Sequence, residues 1–186
     1  MSGAARNLEL KVRVDPGFLT DLRARLIADG QAYQRLTQID TYFPTPRGRL
    51  KIRQIIPDDQ AAAPSSRAEL IAYERPNDPA VRWSHYHRVS IPIAMVEDLR
   101  AALTTVLGPV LEVRKSRDVI ICGHTRIHLD IVAELGCFVE LETLANDRPE
   151  TDVIAELGEV ARCLRIDTLP PIARSYCDLL STGGTG

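Results

Sequence analysis

The chain has 186 residues, 45% of them hydrophobic and 26% charged, with a formal net charge of −2. That balance excludes a disordered segment and gives no electrostatic ground for a nucleic-acid or anionic-membrane partner. The four cysteines are widely spaced, the opening "MSGAARNLEL" lacks a secretory pattern, and no apolar run approaches the ~20 residues a membrane helix needs. These features point to reduced thiols in a cytoplasmic, single-domain protein: one domain over 1–180 and a flexible tail at 181–186.

In chain order, "NLELKVRV" alternates strictly, with Asn7, Glu9, Lys11 and Arg13 on one face and Leu8, Leu10, Val12 and Val14 on the other. Residues 15–29 then read as a helix. Asp15 caps it, Pro16 takes the favoured first position, and Phe18, Leu19, Leu22 and Leu26 form its apolar stripe. "QIDTYF" at 38–43 is strand-like, and "RGRLKIR" groups Arg47, Arg49, Lys51 and Arg53 opposite Leu50 and Ile52. A loop is expected at 57–67, followed by the strand "ELIAYERP" at 69–76. "VRWSHYHRVSI" sets Tyr86, Arg88 and Ser90 against Trp83, His85, His87 and Val89.

A second helix is expected at about 95–107, with Val96, Leu99, Leu103 and Val106 inward, ending at Gly108-Pro109. "VRKSRDVII" groups Lys115 with Arg117, and "TRIHLDIV" groups Arg126, His128 and Asp130. A third helix near 151–164 would bury Val153, Ile154, Leu157, Val160 and Leu164, and "SYCDLL" would either plug one end of a barrel or, as is favoured, dock as a short last helix. Many strands with few helices between them predict an α+β chain built on an antiparallel sheet or barrel.

The stretch "CFVELE" at 137–142 poses a problem of charge. Glu140 and Glu142 share a face ~6–7 Å apart, and no lysine or arginine stands beside them in that stretch. At an effective dielectric near 20 their repulsion costs on the order of 2 kcal/mol. Either that face is wet or something cationic binds it. The same choice applies to every strand. The charged faces are a solvated sheet surface, or they line the inside of a barrel whose apolar faces turn outward against helices. In the second case the interior holds arginines, lysines and carboxylates that need a counter-charge. A polyanion with a divalent metal would supply it.

Taken together, "NLELK", "GRLKIR", "VRKSR", "TRIHLDIVAELGCFVELE" and "SYCDLL" resemble the CYTH superfamily, the triphosphate tunnel metalloenzymes, over about residues 6–180. "QIDTYF" and "LIAYERP" look most similar to its class IV adenylate cyclase-like branch. The resemblance implies a closed antiparallel eight-stranded β-barrel with helices packed outside, acting on a triphosphate (ATP, tripolyphosphate or thiamine triphosphate) with Mg²⁺ or Mn²⁺. It implies metal ligation by Glu9, Asp130, Glu140 and Glu142, and catalytic roles for Glu9 and Lys11. Phosphate would meet Lys51, Arg53, Arg88, Lys115, Arg117 and Arg126.

Two departures stand out: Asn7 replaces the first acid of the family's E-x-E-x-K, and Glu74 falls where many relatives carry lysine. A non-catalytic nucleotide- or polyphosphate-binding module is therefore the alternative. Of the side chains outside this pattern, Tyr42 and Tyr86 are expected to fill the barrel, and Asp40 to pair an arginine or bind metal. His85 and His87 should face outward, and His128 should touch phosphate or a carboxylate. Glycine-rich phosphate loops are absent, which removes the P-loop and Rossmann readings.

Overall fold

The structure, a computed structural model, describes residues 5–31, 33–58, 66–74 and 83–181. Eight strands run β1 (Ala5–Val14), β2 (Tyr33–Phe43), β3 (Arg49–Pro57), β4 (Arg67–Glu74), β5 (Trp83–Ile91), β6 (Leu111–Cys122), β7 (Thr125–Val132) and β8 (Gly136–Leu144). Every pairing is antiparallel, and the sheet closes in the order β1-β5-β4-β3-β2-β6-β7-β8. Among the described residues, β1 and β5 close the ring through the pairs Ala5–Tyr86 to Leu8–Trp83.

Alternation decides which way each face turns. Val12, Leu129, Val139 and Leu141 are fully buried on the outer face, beneath α1 (Pro16–Ala28) and α3 (Glu150–Leu164). A second outer core, around Phe43, Ile52, Ala68 and Val96, lies under α2 (Val96–Leu107). A further cluster, around Phe138 and Tyr176, lies on the inward faces at one end of the barrel and carries α4 (Tyr176–Ser181). The charged sets Glu9/Lys11, Lys51/Arg53, Lys115/Arg117 and Glu140/Glu142 are thereby turned into the barrel, and the wet-sheet alternative falls away.

Local signals place the helices. The Asp15 carboxylate accepts the Phe18 N–H at 2.8 Å, and Pro16 opens α1. Asp118 on the outside of β6 ties α1 to the wall by accepting from Arg23 at 2.5 Å and from Arg35 at 2.7 Å. Gly48, just before β3, sits at φ +65°, where a Cβ would come within 2.9 Å of the Tyr73 carbonyl oxygen. Only glycine fits that approach.

Two helical positions differ from expectation. Val106 is 81% exposed and Ile154 is 51% exposed, because each stands at the margin of its stripe, and Leu107 rather than Val106 packs beneath α2. The expected loop at 57–67 gives its ends to strands, Pro57 to β3 and Arg67 to β4. The rest of it, the tail beyond Ser181 and the side chains of Trp83 and His85 lie outside the described residues. Among the described residues, no helix is long and apolar enough to cross a membrane.

Candidate active site

The barrel encloses a cavity of about 320 Å³, and among the described residues eight cationic side chains and five carboxylates line it. Of the eleven residues singled out from sequence, ten face it: Glu9, Lys11, Lys51, Arg53, Arg88, Lys115, Arg117, Arg126, Glu140 and Glu142. Asp130 does not line it: it shares the inward face of β7 with Arg126 and His128 but is fully covered by its neighbours.

Two similar clamps organise the cations. On β3, Lys51 and Arg53 stand two residues apart and share Asp40 of β2. The Asp40 carboxylate accepts from Lys51 Nζ at 2.8 Å, from Arg53 at 2.8 and 2.9 Å, and from Gln38 at 3.1 Å. On β6, Lys115 and Arg117 stand two residues apart and share Asp130 of β7. That carboxylate takes both arms of Arg117 at 2.6 Å, Tyr176 Oη at 2.9 Å and Lys115 Nζ at 3.4 Å. Three of these donors meet at Oδ2 and one at Oδ1. Asp130, expected from sequence as a metal ligand, here braces Arg117 and Lys115.

Burial works against the two lysines. It pushes the Lys51 ammonium down to about 7, with Arg53 adding repulsion and Asp40 only partly offsetting both. Lys115 is pushed down to about 8 by burial and by Arg117. Burial would raise Asp40, but Arg53 and Lys51 override it and hold that carboxyl well below the usual range.

The paired carboxylates of β8 find their cations on neighbouring strands, which no reading of "CFVELE" alone could show. Glu140 accepts from Arg117 at 2.7 Å and Glu142 from Arg126 at 3.3 Å. Glu142 also accepts from the Asn7 amide, and Glu9 from Tyr86 Oη. Burial would raise Glu140, but Lys11, Arg117 and Lys115 hold it well below the ordinary carboxylate range.

Across the β1–β8 ladder, Glu9 is the register partner of Glu142, and Lys11 of Glu140. Like charges directly opposite one another are destabilising, and the Asn7 Oδ1 nearby is buried with no hydrogen-bond partner. Among the described residues, no three His, Cys, Asp or Glu side chains converge as a ready-made metal cluster. The donor chemistry nonetheless fits a hard divalent cation, being oxygen throughout with two carboxylates in register.

A family model of the CYTH domain matches residues 5–176. The chain belongs to the CYTH domain family. No curated protein matches it in sequence. Among solved structures, the PH1012 protein from Pyrococcus horikoshii OT3 superposes with TM-score 0.74 at 19% identity, covering 93% of this chain and 98% of that one. HpAC1 from Hippeastrum, a candidate adenylyl cyclase described as having a dominant triphosphatase activity, gives 0.65 at 16% identity over 97% of each chain. A chain of the Schizosaccharomyces pombe Mediator head module gives 0.64 at 12% identity, over 89% of this chain and 97% of its own. At such identities these likenesses establish the fold.

One mouth of this CYTH barrel is stopped by α4, so the last helix does more than dock. Tyr176 lines the cavity, and its ring centroid lies 4.3 Å from Lys11 Nζ and 4.8 Å from Lys115 Nζ. Lys11 Nζ also donates to the Arg174 carbonyl at 3.0 Å, and Arg49 pairs with Asp178 at 2.7 Å. The plugging alternative for "SYCDLL" thus holds over simple docking, which the absence of an inward charge pattern in that stretch favours.

Glu74 turns out to be exposed and pairs with Arg47 at 3.4 Å. The inward residues of β4 are Arg67, Glu69, Ile71 and Tyr73, so Glu74 itself does not enter the cavity of this CYTH chain. Arg75 lies outside the described residues. Of the tyrosines, Tyr42 accepts from Lys51 Nζ at 3.2 Å, and Tyr86 is a working donor to Glu9. His128 faces the cavity with its Nδ1 buried and unpartnered, and burial together with Arg117 pushes it down to about 3. It is a neutral imidazole.

Proposed function

We propose that the chain binds the polyphosphate arm of a triphosphate inside the barrel and processes it with a divalent metal, Mg²⁺ or Mn²⁺. The observation that carries this reading is the pair of Lys-x-Arg clamps, each braced by a buried aspartate and both aimed into one cavity. Arginine forks match phosphate oxygens in bidentate fashion, and lysines add point charge.

Lys51, Arg53, Lys115 and Arg117 hold the phosphates, with Arg88 and Arg126 as further contacts and Lys11 at the end nearest α4. Glu9, Glu140 and Glu142 hold the cation, which when bound neutralises phosphate charge and polarises the reacting phosphorus. Phosphoryl transfer asks a protein mainly for positioning and charge neutralisation, and this wall supplies both. Hydrolysis is the favoured reaction, since it requires only a water at the terminal phosphate. Cyclisation of ATP is the second reading, and it also requires the ribose hydroxyl to be held against the α-phosphate.

Products are the test. The protein is incubated with ATP, tripolyphosphate and thiamine triphosphate, each with Mg²⁺ and with Mn²⁺. Orthophosphate release supports the hydrolase, and cyclic AMP with pyrophosphate supports the cyclase. Tight binding without any metal-dependent product leaves a binding module.

Protonation provides a second check. Lys51 near 7 and Lys115 near 8 are partly neutral above those values in the empty barrel. Bound phosphate favours their charged forms, so binding takes up protons and affinity falls as pH rises above about 7. Calorimetry at pH 8.5, in buffers of different ionisation enthalpy, should register that uptake. No uptake at that pH would mean the phosphates lie elsewhere.

A further inference from the structure

The cavity wall contains one apolar sector that a polyphosphate does not use. Leu36 and Ile55 are 4% and 7% exposed, and both line the cavity together with Val119. None of the three belongs to the apolar clusters that pack beneath the helices, whether outside the wall or inside it at the α4 end. They are apolar groups placed inside a barrel whose wall is otherwise mostly charged, so packing against the helices does not explain them.

Register shows how they are arranged. Along the inward face of β3 the order is Lys51, Arg53, Ile55; along β6 it is Lys115, Arg117, Val119; along β2, read backwards, it is Asp40, Gln38, Leu36. The ladders pair Asp40 with Arg53 and Gln38 with Ile55 on one side, and Gln38 with Lys115, Leu36 with Arg117 and Gln34 with Val119 on the other. On three neighbouring strands, therefore, charge gives way to hydrocarbon in the same direction. That direction leads away from α4, which touches the other end at Arg49 and Lys11. The step from clamp to apolar row is one pleat repeat, ~7 Å.

We infer that Leu36, Ile55 and Val119 form a shelf for a flat organic group carried by the triphosphate, so that the substrate class is an organic triphosphate and not inorganic tripolyphosphate. This rests on the reading of the clamps as the phosphate site. A phosphate chain held by Arg53 and Arg117 places its next substituent over this row. Covering apolar surface there is favourable in proportion to the area removed from water. Arg67, the register partner of Ile55, stands beyond it with a planar guanidinium suited to stacking on a ring face.

The experiment measures affinity for ATP, thiamine triphosphate and tripolyphosphate without metal, for the intact protein and for Val119→Asn and Ile55→Thr. The expected result is that at least one organic triphosphate binds tenfold or more tighter than tripolyphosphate. That advantage should shrink at least fivefold in either variant, while tripolyphosphate affinity stays within twofold. The tripolyphosphate control reports that each variant is folded, and the comparison in the intact protein needs no variant. Tripolyphosphate binding as tightly as both organic ligands overturns the shelf and leaves the clamps standing. So does a variant that weakens all three ligands equally. Failure of all three to bind the intact protein overturns the clamps and the shelf together.

Discussion

Replacing Glu140 and Glu142 together by glutamine should lower metal-dependent turnover by roughly a thousandfold or more, the factor produced by several kcal/mol of lost charge stabilisation. Without metal, the same variant should bind tripolyphosphate more tightly. In the intact chain these carboxylates engage Arg117 and Arg126, and removing their charge frees both guanidiniums for phosphate. Opposite movements of turnover and metal-free affinity form a signature that misfolding would not produce. Turnover within tenfold of the intact protein would rule these residues out as the cation site.

The second large effect is expected at Arg117→Met. Asp130 is fully buried and takes both arms of that guanidinium at 2.6 Å. Breaking such a pair leaves a buried charge with only Lys115 and Tyr176, at a cost of about 3–5 kcal/mol. For a domain of this size that lowers the thermal midpoint by roughly 10 °C. Triphosphate affinity should fall with it. Asp130→Asn/Arg117→Met should recover much of the lost stability and none of the affinity, because the double change removes the orphaned charge without restoring the fork. If the single variant melts where the intact protein does, Asp130 is not bracing Arg117.

The sequence carried the barrel well, for a definite reason. A period of two in polarity, repeated on strand after strand, is a statement about faces, and faces survive folding. The pairs Lys51/Arg53 and Lys115/Arg117 were visible for the same reason. What no single strand contains is its neighbour. Asp130 reads as a metal ligand because an inward acid beside inward cations has the same pattern whether it binds an ion or an arginine, and only the ladder shows that it stands opposite Arg117. Glu74 was misjudged by parity, since Tyr73 is the residue on the cavity wall and its neighbour must point outward. The role of Tyr176 was out of reach because it comes from a helix folding back over a mouth, a contact 46 residues away along the chain from Asp130.

Each clamp is pinned across a ladder of eight register pairs, with Asp40 opposite Arg53 on β2–β3 and Asp130 opposite Arg117 on β6–β7. A grip built into the wall in this way is stiff before its guest arrives, so its cations have little conformational freedom left to lose on binding.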